Sequence, residues 1–200
     1  MYINLMNEGN KNIYISSWLL LITLLVVIMI IVGGLTRLTD SGLSITEWQL
    51  FSGFLPPLNN NDWENYFNLY KKIPEFKLQN YSMTIDEFKI IFWWEWAHRF
   101  LGRLIGICFL FPVIYFTIKL GFKSLKNLYF IFFLICFQGF IGWYMVSSGL
   151  IDRVDVSHYR LALHLLIAFI ILSLILWEYF KLKNIKLSHQ KLKLYLPLIF

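Results

Sequence analysis

Cysteine is nearly absent from this 200-residue chain: only Cys108 and Cys136 occur, both inside apolar runs and neither in a CxxC or CxxCH pattern. That excludes a disulfide framework, a paired redox motif and covalent haem attachment, and leaves two small packing residues. Charge is scarce as well, at 15% of residues. A glycine-rich phosphate loop, a zinc-spaced cluster, a short repeat and strand-like alternation are all missing, so nucleotide-binding, zinc-ribbon and sheet architectures fall away. What remains is apolar, with 58% hydrophobic residues, 19% aromatic residues and a mean hydropathy of +0.60. A soluble domain of this size needs less than that for its core, so the composition indicates a polytopic membrane protein in a lipid bilayer. The formal net charge of +6 does not imply nucleic acid, because the lysines cluster in two short segments beside apolar runs, where they act as topology signals.

The expected fold class is all-α: a transmembrane four-helix bundle with helices at about 13–36, 85–118, 127–151 and 157–180, an outer loop over 37–84 and the start of a fifth helix. Residues 12–36 carry no charge, and the run is too long for a signal peptide and lacks a small-residue cleavage site. Gly33 and Gly34, near its end, suit either close helix packing or a fraying terminus. The loop is acidic and contains Trp63, Tyr66, Phe67 and Tyr70 at helical spacing between Pro56–Pro57 and Pro74, which predicts a short amphipathic helix lying on the membrane surface or capping the bundle. Thr84 followed by Glu87 has the form of a capping box and starts the second long helix near Ile85. Lys119, Lys123 and Lys126 stand without an acid in one connection, and residues 181–193 hold five lysines and no acid. Both segments are therefore expected inside, with the amino terminus cytoplasmic and the large loop outside. Residues 181–200 read as a cytoplasmic basic linker, with His189 in it and no partner in view, followed by the start of a truncated fifth helix. Gln138, Gly139 and Gly142 are the polar or small interruptions of the third helix, and Gln138 is expected to bond another helix.

The chemistry concentrates in Phe92–Gly106, FWWEWAHRFLGRLIG. On a helix Glu95, His98, Gly102 and Gly106 fall within about 80° of one another, with Arg99 and Arg103 along one flank. Ionisable groups cost on the order of 2.5 to 3.5 kcal/mol each at a bilayer centre, so such a face normally meets protein, water or a cofactor. On the fourth helix Ser157, Arg160, His164 and Ala168 share a face, while His158 points elsewhere and reads as interfacial. The second and fourth helices run parallel and carry His98 and His164 at similar depth, an arrangement suited to bis-histidine ligation of haem iron. Arg99, Arg103 and Arg160 lie where they would neutralise haem propionates, and Gly102 would admit a planar macrocycle or another backbone. The competing explanation for each histidine is a buried polar residue satisfied by a neighbouring helix. Two roles are open to Glu95 from spacing alone: proton movement during oxygen chemistry, or an ion pair with Arg99 at i+4.

The segments GGLTRLTDSGLSITEW (33–48), PPL (56–58), FKIIFWWEWAHRFLGRLIG (88–106), QGFIGWYMVSSGL (138–150) and DRVDVSHYRLALHL (152–165) resemble the haem A synthases, closest to the proteobacterial and mitochondrial branch. The resemblance covers nearly all of residues 33–170 and implies oxidation of the C8 methyl of haem O, the substrate, to the formyl group of haem A by successive O2-dependent hydroxylations, for cytochrome c oxidase. It implies His98 and His164 as axial iron ligands and Glu95, in an ExxH pattern, as the catalytic carboxylate. A bacterial plasma membrane location is expected before a mitochondrial inner membrane, and haem O synthase, an electron donor and a second copy of the chain are conceivable partners. Two departures stand out. Some members carry a cysteine pair in the first outer loop and this loop has none, so that role does not transfer. The family also has two similar four-helix halves, the second usually holding haem B, and this chain stops where the second should begin. The expectation is a fragment, the alternative being a pair of such chains. Two further functions compete: a bis-histidine b-type membrane cytochrome without catalysis, and an assembly factor that only delivers haem.

Overall fold

The computed structural model describes residues 8–48 and 52–183. Four helices in it are long and apolar enough to cross a membrane. They are α1 (Glu8–Leu38), α4 (Ile85–Leu120), α5 (Lys126–Asp152) and α6 (His158–Leu182); two short helices, α2 (Asn60–Tyr70) and α3 (Pro74–Leu78), lie between α1 and α4, and no strand occurs among the described residues. The all-α membrane fold read from the composition is therefore the fold observed. The fifth helix, most of the basic linker and His189 lie outside the described residues.

The long helices form a ring in which α1 packs against α4 and α6, and α5 packs against the same two. Helices α4 and α6, the two that carry histidines, therefore take opposite corners. The interior is filled by Leu19, Ile22 and Val26 of α1, Ile105, Phe109 and Val113 of α4, Ile131 of α5 and Ile171 and Ile175 of α6. Outward faces are equally apolar, with Leu20, Leu24, Phe111, Ile118, Phe133, Phe140 and Leu166 exposed, as lipid contact requires. Lipid tails being as apolar as leucine, close packing and polar ties hold such a bundle together more than water exclusion does.

One of those ties arises from a proline. Pro112 lies inside α4 and has no N–H, so the carbonyl of Cys108, four residues earlier, loses its helical donor. The Trp18 indole of α1 donates to that carbonyl at 2.8 Å, and its ring packs against Phe109 and Phe116 with centroids 5.0 and 5.7 Å away. At the end of the bundle away from the large loop, Tyr129 and Thr117 share a hydrogen bond of 2.8 Å, and Asn127 donates to Glu178 at 2.7 Å. Between them Gly121, at a φ of 79°, turns the chain from α4 into the 3-10 helix Phe122–Leu125.

The amphipathic segment expected in the loop is α2, and it packs on the amino-terminal end of α4. Phe67 and Tyr70 are buried and their rings lie 5.1 and 5.2 Å from Phe88, while Trp63 and Tyr66 meet Phe92 at 5.0 and 5.2 Å. Pro74, read as a breaker, starts α3, where its missing N–H costs nothing. The Thr84–Glu87 capping box is present in full and opens α4 at Ile85. Aromatic packing thus welds the segment between α1 and α4 to the helix that carries the ionisable cluster.

Candidate functional site

The carboxylate of Glu95 is 3% exposed. It accepts four hydrogen bonds, two at each oxygen: Oε1 from Arg99 Nε at 3.0 Å and Nη2 at 2.6 Å, Oε2 from Ser44 Oγ and the Ile45 amide, both at 2.7 Å. Arg99 Nη2 donates to the Ile45 carbonyl at 2.8 Å and Nη1 to the Glu47 carbonyl at 3.3 Å, and the guanidinium stands 5.4 Å from the Trp48 ring centre. The i,i+4 pair open on spacing alone is formed, and it clamps residues 44–48 onto α4. Ser44 and Ile45 escaped sequence reasoning; their only signal was their place inside the conspicuous 33–48 segment.

His98 points from α4 toward α1, where a methyl group on Gly33 would lie 2.9 Å from its Cε1 and 3.3 Å from its Nδ1. His164 points from α6 toward α5, where a methyl group on Gly142 would lie 3.1 Å from Cε1 and 3.8 Å from each ring nitrogen. The Nδ1 atoms of both rings are buried without a hydrogen-bond partner, and His164 is among the groups that act electrostatically on His98. A buried, unpartnered polar atom costs about 1–3 kcal/mol, and Trp96 Nε1 of α4 and Gln138 Oε1 of α5 share that condition with the two Nδ1 atoms. Among the described residues no cluster of three His, Cys, Asp or Glu side chains gathers to hold a bare ion. Two imidazoles from opposite corners instead fit a metal whose other positions are filled by a macrocycle, and haem is such a group. Gln138 donates to the His164 carbonyl at 2.9 Å, which is the interhelical bond expected of it.

The three arginines separate. Arg99 and Arg103 line one recess near the amino-terminal half of α4, together with Tyr66, Phe92, Trp96, Ile45 and Glu47. Arg160 lies elsewhere, donating to Ser148 Oγ and standing 4.8 Å from the Tyr144 ring centre. Gly102 faces α1, where an added methyl group would lie 3.1 Å from the Met29 methyl, while Gly106 has open space. His158, at the start of α6, is exposed.

A second buried carboxyl group, Glu75 of α3, was not anticipated. It is 2% exposed, accepts from Tyr70 at 3.1 Å and Asn80 at 3.4 Å, and leaves Oε2 without a partner. Burial first, and then the negative charges of Glu95, Asp40 and Asp155, push its pKa up to about 8 against the lowering effect of the Tyr70 bond. It is thus mainly a neutral acid at pH 7. Tyr70 is pushed up by burial and by Glu75.

Four membrane-length helices, with short helices packed over one end of the bundle, define a helical membrane protein. The family model described as cytochrome oxidase assembly protein (COX15-CtaA) matches residues 16–198. Relatives named heme A synthase include those of Pelagibacter ubique (54% identical, 93% of this chain and 56% of the relative), Maricaulis maris (53%, 86% and 51%) and Rickettsia bellii (48%, 93% and 56%). The chain belongs to the haem A synthase (COX15-CtaA) family, in its proteobacterial branch. It spans about half the length of the curated relatives it matches. No solved structure matches it.

Proposed function

We propose that this chain forms a haem-binding bundle of a haem A synthase, taking haem O as substrate for O2-dependent oxidation of its C8 methyl to the formyl group of haem A. The observation that carries the reading is the pair of imidazoles His98 and His164, set on the two helices at opposite corners of the bundle, with His164 close enough to act electrostatically on His98. In this reading both residues ligate the iron, which supplies the redox chemistry when the substrate is bound. Arg103, in the recess it shares with Arg99, neutralises a propionate; Arg160 and Gly102 are the further cofactor contacts. Glu95 is proposed as the carboxylate that assists proton movement near the methyl group, with Arg99 holding it in place. The four-helix unit is residues 1–180, followed by a basic linker, in a bacterial plasma membrane with the amino terminus cytoplasmic and the outer cap across the membrane. Haem B is assigned to none of these residues, and an electron donor, haem O synthase and self-association complete the proposal.

One observation favours a second reading, a b-type electron carrier. Glu95 spends all four of its bonds on Arg99, Ser44 and Ile45, as a structural clamp would. The test is haem binding by the membrane-embedded chain supplied with haem O. His98→Ala and His164→Ala are each expected to abolish the low-spin absorption spectrum, and its retention in both variants refutes the ligand assignment. Loss of haem A formation in Glu95→Gln, with that spectrum intact, selects the enzyme; unchanged formation selects the carrier.

A further inference from the structure

We propose that Gly33 and Gly142 are positioning residues that set the ring planes of His98 and His164. The inference rests on the reading of those histidines as haem ligands and adds the helices that carry none. Helix α4 sends its imidazole against Gly33 of α1, and α6 sends its imidazole against Gly142 of α5. All four corners of the bundle thus contribute, two with rings and two with gaps. At Gly33 an added Cβ would come to 2.9 Å from the His98 Cε1, closer than packed carbons approach; at Gly142 the distance to the His164 Cε1 would be 3.1 Å. Glycine inside a helix is less favourable than alanine, so its presence at two such points needs a reason. Nearby glycines give the contrast: a methyl group on Gly34 in α1 or Gly139 in α5 would have nothing within 4 Å, and one on Gly102 would meet only the flexible tip of Met29.

A methyl group at 33 forces a shift and one at 142 crowds the ring by a few tenths of an ångström, and turning the imidazole relieves either, because the backbone behind the glycine is held in a helix. The angle between two axial imidazole planes is read by the electron paramagnetic g values of low-spin ferric haem. Gly33→Ala and Gly142→Ala in the full haem-loaded chain should each shift the g values and lower haem affinity about two- to tenfold, the range that an off-rotamer side chain gives. Gly34→Ala and Gly139→Ala should leave both unchanged. A second measurement covers poor folding: in the haem-free chain Gly33→Ala should lower the midpoint of thermal unfolding, and adding His98→Ala should restore most of the loss by removing the ring that is struck. Unchanged g values and affinity in both glycine variants, alongside loss of the spectrum in His98→Ala and His164→Ala, overturn the inference and leave the ligand reading standing. Persistence of the low-spin spectrum in both histidine variants overturns both, and failure of His98→Ala to rescue Gly33→Ala overturns the steric argument by itself.

Discussion

Replacing Glu95 tests the joint between the segment after α1 and the bundle. In Glu95→Ala the Arg99 guanidinium, whose side chain is 10% exposed, loses its counter-charge, and Ser44 Oγ and the Ile45 amide lose a common acceptor. Removing one partner of a buried ion pair costs about 3–5 kcal/mol, and an orphaned buried donor about 1–3 kcal/mol, with overlap between the two. Against a total stability of about 5–15 kcal/mol this is a large share. The loss should fall first on residues 37–84, which the carboxylate ties to α4, so limited proteolysis should cut that segment well below the temperature at which the long helices melt. Glu95→Gln keeps the shape but turns an NH2 toward donors on one side, so it should cost less than alanine and still weaken the clamp. Thermal unfolding in detergent, followed by helical signal and by cleavage of the loop, measures both. If Glu95→Ala leaves the loop as protease-resistant as the parent, the clamp argument is wrong.

Glu75→Gln should stabilise the α2–α3 segment at neutral and alkaline pH. The folded pKa of Glu75 lies near 8, above its ordinary value of 4.5, so its folding contribution is greatest below about pH 4.5 and is lost progressively as pH rises to about 8. The parent should therefore melt at falling temperature across that window, and the glutamine variant should lose that slope; an unchanged slope refutes the assignment. Trp18→Phe keeps the ring contacts with Phe109 and Phe116 but leaves the Cys108 carbonyl beside Pro112 without a donor, for a loss of about 1–3 kcal/mol in thermal unfolding. Adding Pro112→Ala, which returns a helical N–H to that carbonyl, should shrink the loss, and independence of the two changes would count against the explanation. Thr84→Ala removes the cap of α4 and should cost about 1 kcal/mol, seen as faster amide exchange in the first turn of that helix.

Much of the fold was legible because a bilayer imposes simple rules. A segment that crosses hydrocarbon must be apolar for about 20 residues and must satisfy its backbone within itself, so composition locates the helices almost without tertiary information. Capping at Thr84 and the aromatic spacing of α2 were equally local signals. Where the aromatic face of α2 would dock was open, and packing on Phe88 and Phe92 settled it. Among the site residues, periodicity placed Glu95 and His98 on one face of a helix and offered Arg99 as a partner for Glu95, but left open what else the carboxylate bonds and what His98 faces. Tertiary packing added Ser44 and Ile45 to the Glu95–Arg99 pair, set Arg160 against Ser148 and Tyr144, and turned Gly33 from an ambiguous helix end into the neighbour of an imidazole.

By itself, then, the sequence determined the class of the molecule, its four spans and the ionisable residues that a membrane interior would not tolerate without a purpose. Those depend on transfer free energies and on periodicity along one helix, which are properties of short stretches. The tertiary structure decided what faces those residues: that α4 and α6 stand at opposite corners, that α1 and α5 meet their histidines with glycines, and that a loop about fifty residues away along the chain supplies Ser44 and Ile45 to Glu95. Contacts of that kind depend on which helices become neighbours, and in lipid that choice is made by fine packing and a few polar bonds between segments whose hydropathy is nearly the same.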